Sequence, residues 1–330
     1  MFFPKLFAMI NSTLTKKENT MYHVIINPAS RSGKGRKLWD NIIKPYLSEQ
    51  HIEYCSHFST KPGEVTTLAK EISAMGTPEA PVQLVVLGGD GTFNETLQGI
   101  RDFSAVILGY IPTGSSNDLA RDLKISKDTR EATERAFGTG SLHQMDVGCV
   151  TFADGVSRYY ANCCGMGFDS AVCEETNRST FKKAFNRIGL GKLAYLAIAV
   201  KQLLTAKVVS CKITMDDKPS LTIPNFLFAA NMIHRYEGGG FMFCPDAVDN
   251  DGIFDICCAA TVMPKWLILL VLPTAFFGKH FAFPGINSHR AKTIRIKTSA
   301  PVWLQTDGEI LRMTDNAYIT CLEKALKIRY

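Results

Sequence analysis

The sequence predicts an α/β domain followed by an antiparallel β domain. Two observations carry this expectation. From residue 21 to about 125, apolar strand runs alternate with helix-period segments, the pattern of right-handed crossovers and a parallel sheet. From about residue 141 the chain turns to short β-type runs separated by turn signals. A length of 330 residues is enough for two cores.

The elements follow in order. Tyr22-His23-Val24-Ile25-Ile26 reads as a strand, and Asn27 to Gly35 as a polar, glycine-bearing loop. Leu38, Ile42 and Tyr46 recur every four residues, as on one helix face. Ile52 to Phe58 alternates like a strand, and Glu64 to Ala74 is helical, with Val65, Leu68 and Ile72 on one side. Val82 to Leu87 is a buried strand, with a helix starting near Phe93, a strand at Ala105 to Leu108 and a helix near Ser116 to Leu123. The β runs are Arg158 to Asn162, Lys207 to Met215, Leu221 to Asn231, Ile253 to Ala260, Thr293 to Lys297, Val302 to Gln305 and Leu326 to Tyr330. Asp154-Gly155 and Asp216 to Pro219 read as hairpin turns. Helices are expected at Lys182 to Leu204 and Lys265 to Phe277. The boundary falls near Gly138-Thr139-Gly140, which gives a tail at 1–20, a first domain at 21–140 and a second at 141–330.

Composition excludes several classes. Hydrophobic residues make up 46% and the net charge is +6, mildly basic but short of a nucleic-acid footprint. The ten cysteines include no CxxC pair, and His234 and Cys244 lack metal-ligand spacing, so they read as small, reduced core residues. No small-residue cleavage site follows the apolar start, and residues 1–20 read as a tail without expected order. Trp266 to Gly278 is too short to span a bilayer and contains Pro273.

Three strand-end loops carry the chemistry. Asn27-Pro28-Ala29-Ser30-Arg31-Ser32-Gly33-Lys34-Gly35 follows the first strand, Gly88-Gly89-Asp90-Gly91-Thr92 the third, and Pro112-Thr113-Gly114-Ser115-Ser116-Asn117-Asp118 the fourth. In a parallel sheet all three lie along one edge, where ligands of open α/β sheets bind. Glycines let the backbone approach a phosphate, and successive amides with a helix N-terminus attract it. Asp90 beside a polyanion calls for a bridging cation, and Mg²⁺ is the natural one. No loop is a Walker A, and Gly165-Met166-Gly167-Phe168-Asp169-Ser170 misses the dinucleotide fingerprint at Ser170.

These three loops resemble the diacylglycerol kinase catalytic family, which includes bacterial lipid kinases, ceramide kinases and sphingosine kinases. Met145-Asp146-Val147-Gly148, Asn162 to Asp169, Pro245 to Gly252 and Asp307-Gly308-Glu309 extend the resemblance, in order, over residues 21 to 330. The resemblance implies a Rossmann-like nucleotide-binding α/β domain, a C-terminal antiparallel β-sandwich and an active site in the cleft between them. It implies ATP held by Asn27, Pro28, Ser30, Ser32, Gly33, Gly88, Gly89, Asp90, Gly91, Thr92, Gly114, Ser115 and Asn117. Asp307 is then the general base, with Glu309 and Asp90 beside it in catalysis. Asp90, Asp118 and Glu309 would organise Mg²⁺, Asp146 would extend that network, and Asp251 with the carbonyls of Val248 and Ile253 would hold a structural Mg²⁺. Three positions depart from the pattern. Ser115 stands where threonine is common, Arg31 where a small residue is usual, and Asn250 where an acid commonly precedes Asp251.

The resemblance points to a lipid hydroxyl as acceptor, diacylglycerol foremost, and to a cytoplasmic enzyme on an anionic membrane face. Trp266 to Gly278, flanked by Lys265 and by Lys279-His280, suits such an interface, or a buried helix closing the β domain. An NAD kinase shares a Gly-Gly-Asp-Gly loop, and a non-catalytic nucleotide-binding regulator is a third reading. Oligomeric state stays open, a homodimer included.

Overall fold

The computed structural model describes residues 20–178, 191–205 and 208–330, without the side chains of residues 32 and 191–196. The expected tail and residues 182–190 of the expected Lys182 to Leu204 helix lie outside the described residues.

Four parallel strands form the first sheet: β1 (Tyr22–Ile26), β2 (Tyr54–Phe58), β3 (Val82–Gly88) and β4 (Val106–Pro112), in the order β2-β1-β3-β4. Their registers align the strand ends. Ile26 pairs with Leu87, and Gly88 pairs with Pro112. The loops that follow β1, β3 and β4 therefore emerge side by side, as a parallel sheet requires.

Helices begin earlier than the sequence suggested. The first, α1 (Ser30–Leu38), starts inside the expected loop, with Arg31 and Gly33 at positive φ. A single π turn over Trp39–Ile43 joins it to α2 (Lys44–Glu49). That turn rotates the apolar stripe, so Trp39, Ile43 and Leu47 are buried while Leu38 and Ile42 are only half-covered. Next come α3 (Glu64–Ser73), α4 (Asp90–Gly99), α5 (Asp118–Asp122) and α6 (Thr129–Glu134).

The second domain is β-rich. Its long hairpin pairs β14 (Thr293–Thr306) with β15 (Glu309–Arg329). The expected runs at 293–297 and 302–305 are one strand, with a register shift between Lys297 and Val302. Only the last residues of β15 were expected. Polar residues such as Asp315, Asn316, Glu323 and Lys324 break its alternation. Strand β5 (Leu142–Thr151) and the helix Phe168–Arg178 were likewise missed, the first because it buries a charged residue, Asp146.

Strand β15 serves both halves of the molecule. Lys327–Arg329 pair in parallel with Ile107–Gly109 of β4, and Leu326–Arg329 pair with Leu142–Met145. Leu326, Ile328, Met145 and Val147 bury in the same core as Val24, Val85 and Phe93. Each such side chain contributes about 1.5–3 kcal/mol of burial, so this return fastens the two halves together. A second core fills the β-rich half around Tyr160, Cys164, Ile213, Phe254 and Ile319. Seven of the ten cysteines are buried and all ten are free thiols, consistent with small core residues.

Candidate active site

The three loops close on one polar pocket, lined by Asn27, Ser30, Arg31, Gly89, Gly91, Thr92, Gly114 and Glu309 among others. Side chains lock the loops to each other. Asn27 Nδ2 donates to Thr92 Oγ1 at 3.0 Å, and the Ser30 and Thr113 hydroxyls bond at 2.8 Å. Thr113 N donates to Gly88 O at 2.7 Å, and the Pro28 carbonyl accepts from Arg36 N at 3.3 Å. Gly89 and Gly114 have to be glycine for a reason of space. A Cβ on Gly114 would meet Gly89 Cα at 2.6 Å. Asn117, at φ 49°, closes the third loop by accepting from Gly114 N at 2.9 Å through Oδ1. Pro28, Gly33, Gly88, Asp90, the exposed Ser115 and Asn117 lie outside the pocket lining, and the Ser32 side chain is outside the described residues.

Asp90 is the first residue of α4, not a member of the turn before it. Its Oδ2 accepts from Asp118 N at 3.2 Å, while its Oδ1 is buried with no hydrogen-bond partner. Burial, then the charges of Asp118 and Asp307, push its pKa up to about 6. An unpartnered buried carboxylate oxygen, next to Gly89 and Gly91 of the pocket lining, fits a hard cation. Asp118 is more occupied. Its Oδ1 pairs with Arg121 and its Oδ2 accepts from Gly239 N at 2.7 Å. Burial still raises its pKa against both partners.

Asp307 occupies the tip of the β14–β15 hairpin. Thr306 pairs with Glu309, which leaves Asp307 and Gly308 as a two-residue loop with φ of 50° and 84°. Two positive φ values are the mark of a type I′ turn, and Asp-Gly is a favoured sequence for it. The carboxylate accepts four hydrogen bonds. Ala161 N and Asn94 Nδ2 reach Oδ2, each at 2.9 Å; Asn162 N and Cys163 N reach Oδ1 at 2.8 and 3.0 Å. Burial raises the Asp307 pKa and these bonds oppose the rise. The exposed Glu309 stands beside Gly91, whose Cβ would meet its Oε1 at 3.2 Å.

Two family models match most of the chain. Residues 21–150 match the diacylglycerol kinase catalytic domain, and residues 162–329, half the chain, match the YegS C-terminal NAD kinase beta sandwich-like domain. The chain belongs to the diacylglycerol kinase family. Its enzyme class is accordingly that of the lipid kinases. It is 28% identical over 295 residues to the Bacillus subtilis protein named "Putative lipid kinase YtlR", covering 88% of this chain and 93% of that one. It is 29% identical over 290 residues to the diacylglycerol kinase of Staphylococcus saprophyticus, covering 87% and 88%. A crystal structure of a "putative diacylglycerol kinase" from Bacillus anthracis shares the fold, with a TM-score of 0.74, 22% identity, and 94% and 95% of the chains covered.

Within this family member, the expected metal residues form two separate sets. Glu309 lines the pocket, and Asp90 and Asp118 lie behind its loops, joined by the Asp118 N to Asp90 Oδ2 bond. Asp146 instead joins the loop around Asp251, accepting from Gly252 N at 2.7 Å and Lys324 N at 2.6 Å. Asp251 accepts from Ile253 N at 3.1 Å through one oxygen and pairs with Arg290 through the other. The Arg290 guanidinium thus already supplies a positive charge beside Asp251, and this second set does not call for a cation.

Four site residues escaped the sequence reading: Asn94, Asp169, Glu237 and Gln305. Gln305 donates to Glu237 Oε1 at 2.5 Å and accepts from Gly308 N at 2.7 Å, bracing the hairpin tip. Burial, then the neighbouring Asp169 charge, raises the Glu237 pKa to about 8, and burial takes Asp169 to about 6. Burial thus favours the protonated form of Glu237. Asp169 lay within the quoted Gly165 to Ser170 string. Glu237 had no local signal beyond Gly238-Gly239-Gly240.

Proposed function

We propose that this enzyme transfers the γ-phosphoryl group of ATP to the primary hydroxyl of diacylglycerol at a membrane surface, forming phosphatidic acid. The observation that carries the proposal is an apolar cavity placed one strand away from Asp307. Phe168, Leu227, Phe243, Ile268, Val271 and Leu272 line it. Strand β7 (Cys163–Gly167) runs from a backbone donor to Asp307 directly to Phe168 on the cavity wall. Five residues of strand span about 17 Å, a distance suited to a headgroup hydroxyl at one end and an acyl chain at the other.

In this reading the three loops hold the nucleotide phosphates through backbone amides. Asp90, with Glu309 and Asp118, would hold Mg²⁺, which neutralises charge on the transferring group when bound. Asp307 accepts the lipid hydroxyl proton. All four of its acceptor sites are filled, so the Asn94 amide has to yield its bond as the hydroxyl arrives. Catalysis rests mainly on positioning, as phosphoryl transfer allows.

The exposed edge of the cavity supports action at a bilayer. Trp266, Leu270 and Phe277 are 63%, 64% and 74% exposed on the outer side of the helix Lys265–Val271 and the turn after it. The inner side of the same segment closes the cavity. No described helix is long and apolar enough to cross a membrane.

The test is incubation of the purified protein with γ-labelled ATP, Mg²⁺, NAD and a total-lipid extract, with products identified by mass spectrometry. Label in phosphatidic acid is expected. Label in NADP with none in lipid would overturn the proposal, as would label confined to another lipid alcohol for the diacylglycerol assignment.

A further inference from the structure

We propose that His23, Cys55 and His57 form a Zn²⁺ site that clamps the edge strand of the first sheet to its neighbour. His23 lies on β1, and Cys55 and His57 lie on β2. β2 ends the sheet, Cys55 is exposed and both histidines are half-buried, so the set is reachable from solvent. In the parallel register His23 pairs with Cys55, and Ile25 pairs with His57. Residues two apart on a strand share a face. Cys55 and His57 therefore project together, next to His23.

The ligand atoms of the three residues all lie within 4.8 Å of one another. His23 Nδ1 and His57 Nε2 are 3.2 Å apart. Two imidazoles bound to one tetrahedral Zn²⁺ at about 2.0–2.1 Å place their nitrogens about 3.3 Å apart. The observed spacing is thus that of two nitrogens sharing a metal as well as that of two sharing a proton. Cys55 is exposed, and its sulfur lies within 4.8 Å of a ring nitrogen of each histidine. Its thiolate is the third donor.

The chemistry of the set selects the ion. Two imidazoles and one thiolate suit Zn²⁺ and repel the hard Mg²⁺ of the nucleotide site, which takes oxygen ligands. Glu71 acts electrostatically on His57 from α3 and adds negative charge beside the set. A fourth position is left to water. The clamp would matter to the enzyme because β1 runs straight into the Asn27 loop and β2 into Ser59, whose N donates to Ile26 O at 3.0 Å.

The experiment uses the full chain, stripped with a chelator and kept in Mg²⁺-containing buffer under reducing conditions. Zn²⁺ binding is read by competition with a chromogenic chelator, and Co²⁺ binding by the thiolate-to-cobalt charge-transfer band. The expected result is about one equivalent bound, a higher melting temperature with Zn²⁺, and the charge-transfer band. Cys55→Ala should remove the band. Cys55→Ala with His57→Ala should weaken Zn²⁺ binding at least about 100-fold, since loss of even a supporting partner costs about 10–100-fold. Circular dichroism and Mg²⁺–ATP binding confirm that the variants fold. No Zn²⁺ retained by the wild type, a band that persists in Cys55→Ala, or unchanged affinity in the double variant would each overturn the site.

Discussion

Asn94 Nδ2 donates to Asp307 Oδ2 at 2.9 Å across a sequence separation of 213 residues. Asn94 is fully buried on the helix that the glycine loop starts, and Asp307 is the hairpin tip of the other domain. The bond ties the nucleotide loop to the proposed base. Asn94→Asp places a like charge against Asp307 and should raise its pKa further. A base works only when ionised, so the acid limb of the kcat/KM profile should move to higher pH, with kcat at neutral pH down about 10–100-fold. An acid limb that stays in place would mean that Asp307 is not the group titrating.

Asp307→Asn tests the same carboxylate differently. One of its oxygens becomes an amide that faces two backbone N–H donors. Turnover should fall by at least about 100-fold. Unlike a silent catalytic change, stability should fall too, by about 2–4 kcal/mol, because hydrogen bonds from N–H groups to a charged acceptor are lost. Urea unfolding monitored beside the kinase assay reads both. Wild-type stability in an inactive variant would show that the four donors are not held to this oxygen pair.

Much of the fold was legible because local signals agree with the parallel sheet. Val82 to Leu87 is an apolar run, and the loops after β1, β3 and β4 carry glycines where backbones touch, as at Gly89 and Gly114. The illegible parts depend on partners distant in the chain. β15 looked broken because Asp315, Asn316, Glu323 and Lys324 interrupt its alternation, yet β5 and β14 pair along it. Asp146 shared a motif with no visible partner, and its partners turned out to be Gly252 and Lys324 rather than Asp90. Asn94 carried no signal at all, since an asparagine within a helix is unremarkable until Asp307 arrives beside it.

Asp90→Asn should separate function from stability. Burial and the charges of Asp118 and Asp307 lift the Asp90 pKa from 3.8 to about 6. A raised carboxyl pKa means that the folded state holds its proton more tightly than the unfolded one. This group's contribution is most favourable below about pH 4 and is lost as pH rises to about 6. Above that the charge costs stability, by about 1–3 kcal/mol at one to two pK units. Asp90→Asn should therefore melt a few degrees higher than wild type at pH 7.5 without ligand, and the difference should vanish near pH 4. Stabilisation by Mg²⁺–ATP should disappear in the same variant. Calorimetry at the two pH values checks both signs, and a lower melting point at pH 7.5 would contradict the strain assigned to Asp90.

The outer face of the segment 265–278 sets the last prediction. The sequence suggested the segment Trp266 to Gly278, flanked by Lys265 and by Lys279-His280, as a membrane contact or a buried helix. Phe276, however, stacks on Phe241 with ring centroids 4.0 Å apart, Lys265 donates to Leu204 O, and His280 is buried against Phe243 O. Of these three only His280 lines the cavity, while Phe276 stays 44% exposed. Trp266 and Phe277 are the most exposed aromatic side chains of the segment, and each buries about 1.5–3 kcal/mol worth of apolar surface when it enters a headgroup layer. Trp266→Ala with Phe277→Ala should lower co-sedimentation with phosphatidylglycerol vesicles at least about 10-fold. Activity on a dispersed short-chain diacylglycerol should stay within about two-fold of wild type, because neither side chain lines the cavity. Equal loss on vesicles and on the dispersed substrate would place the defect in the cavity and sink the interfacial role of this face.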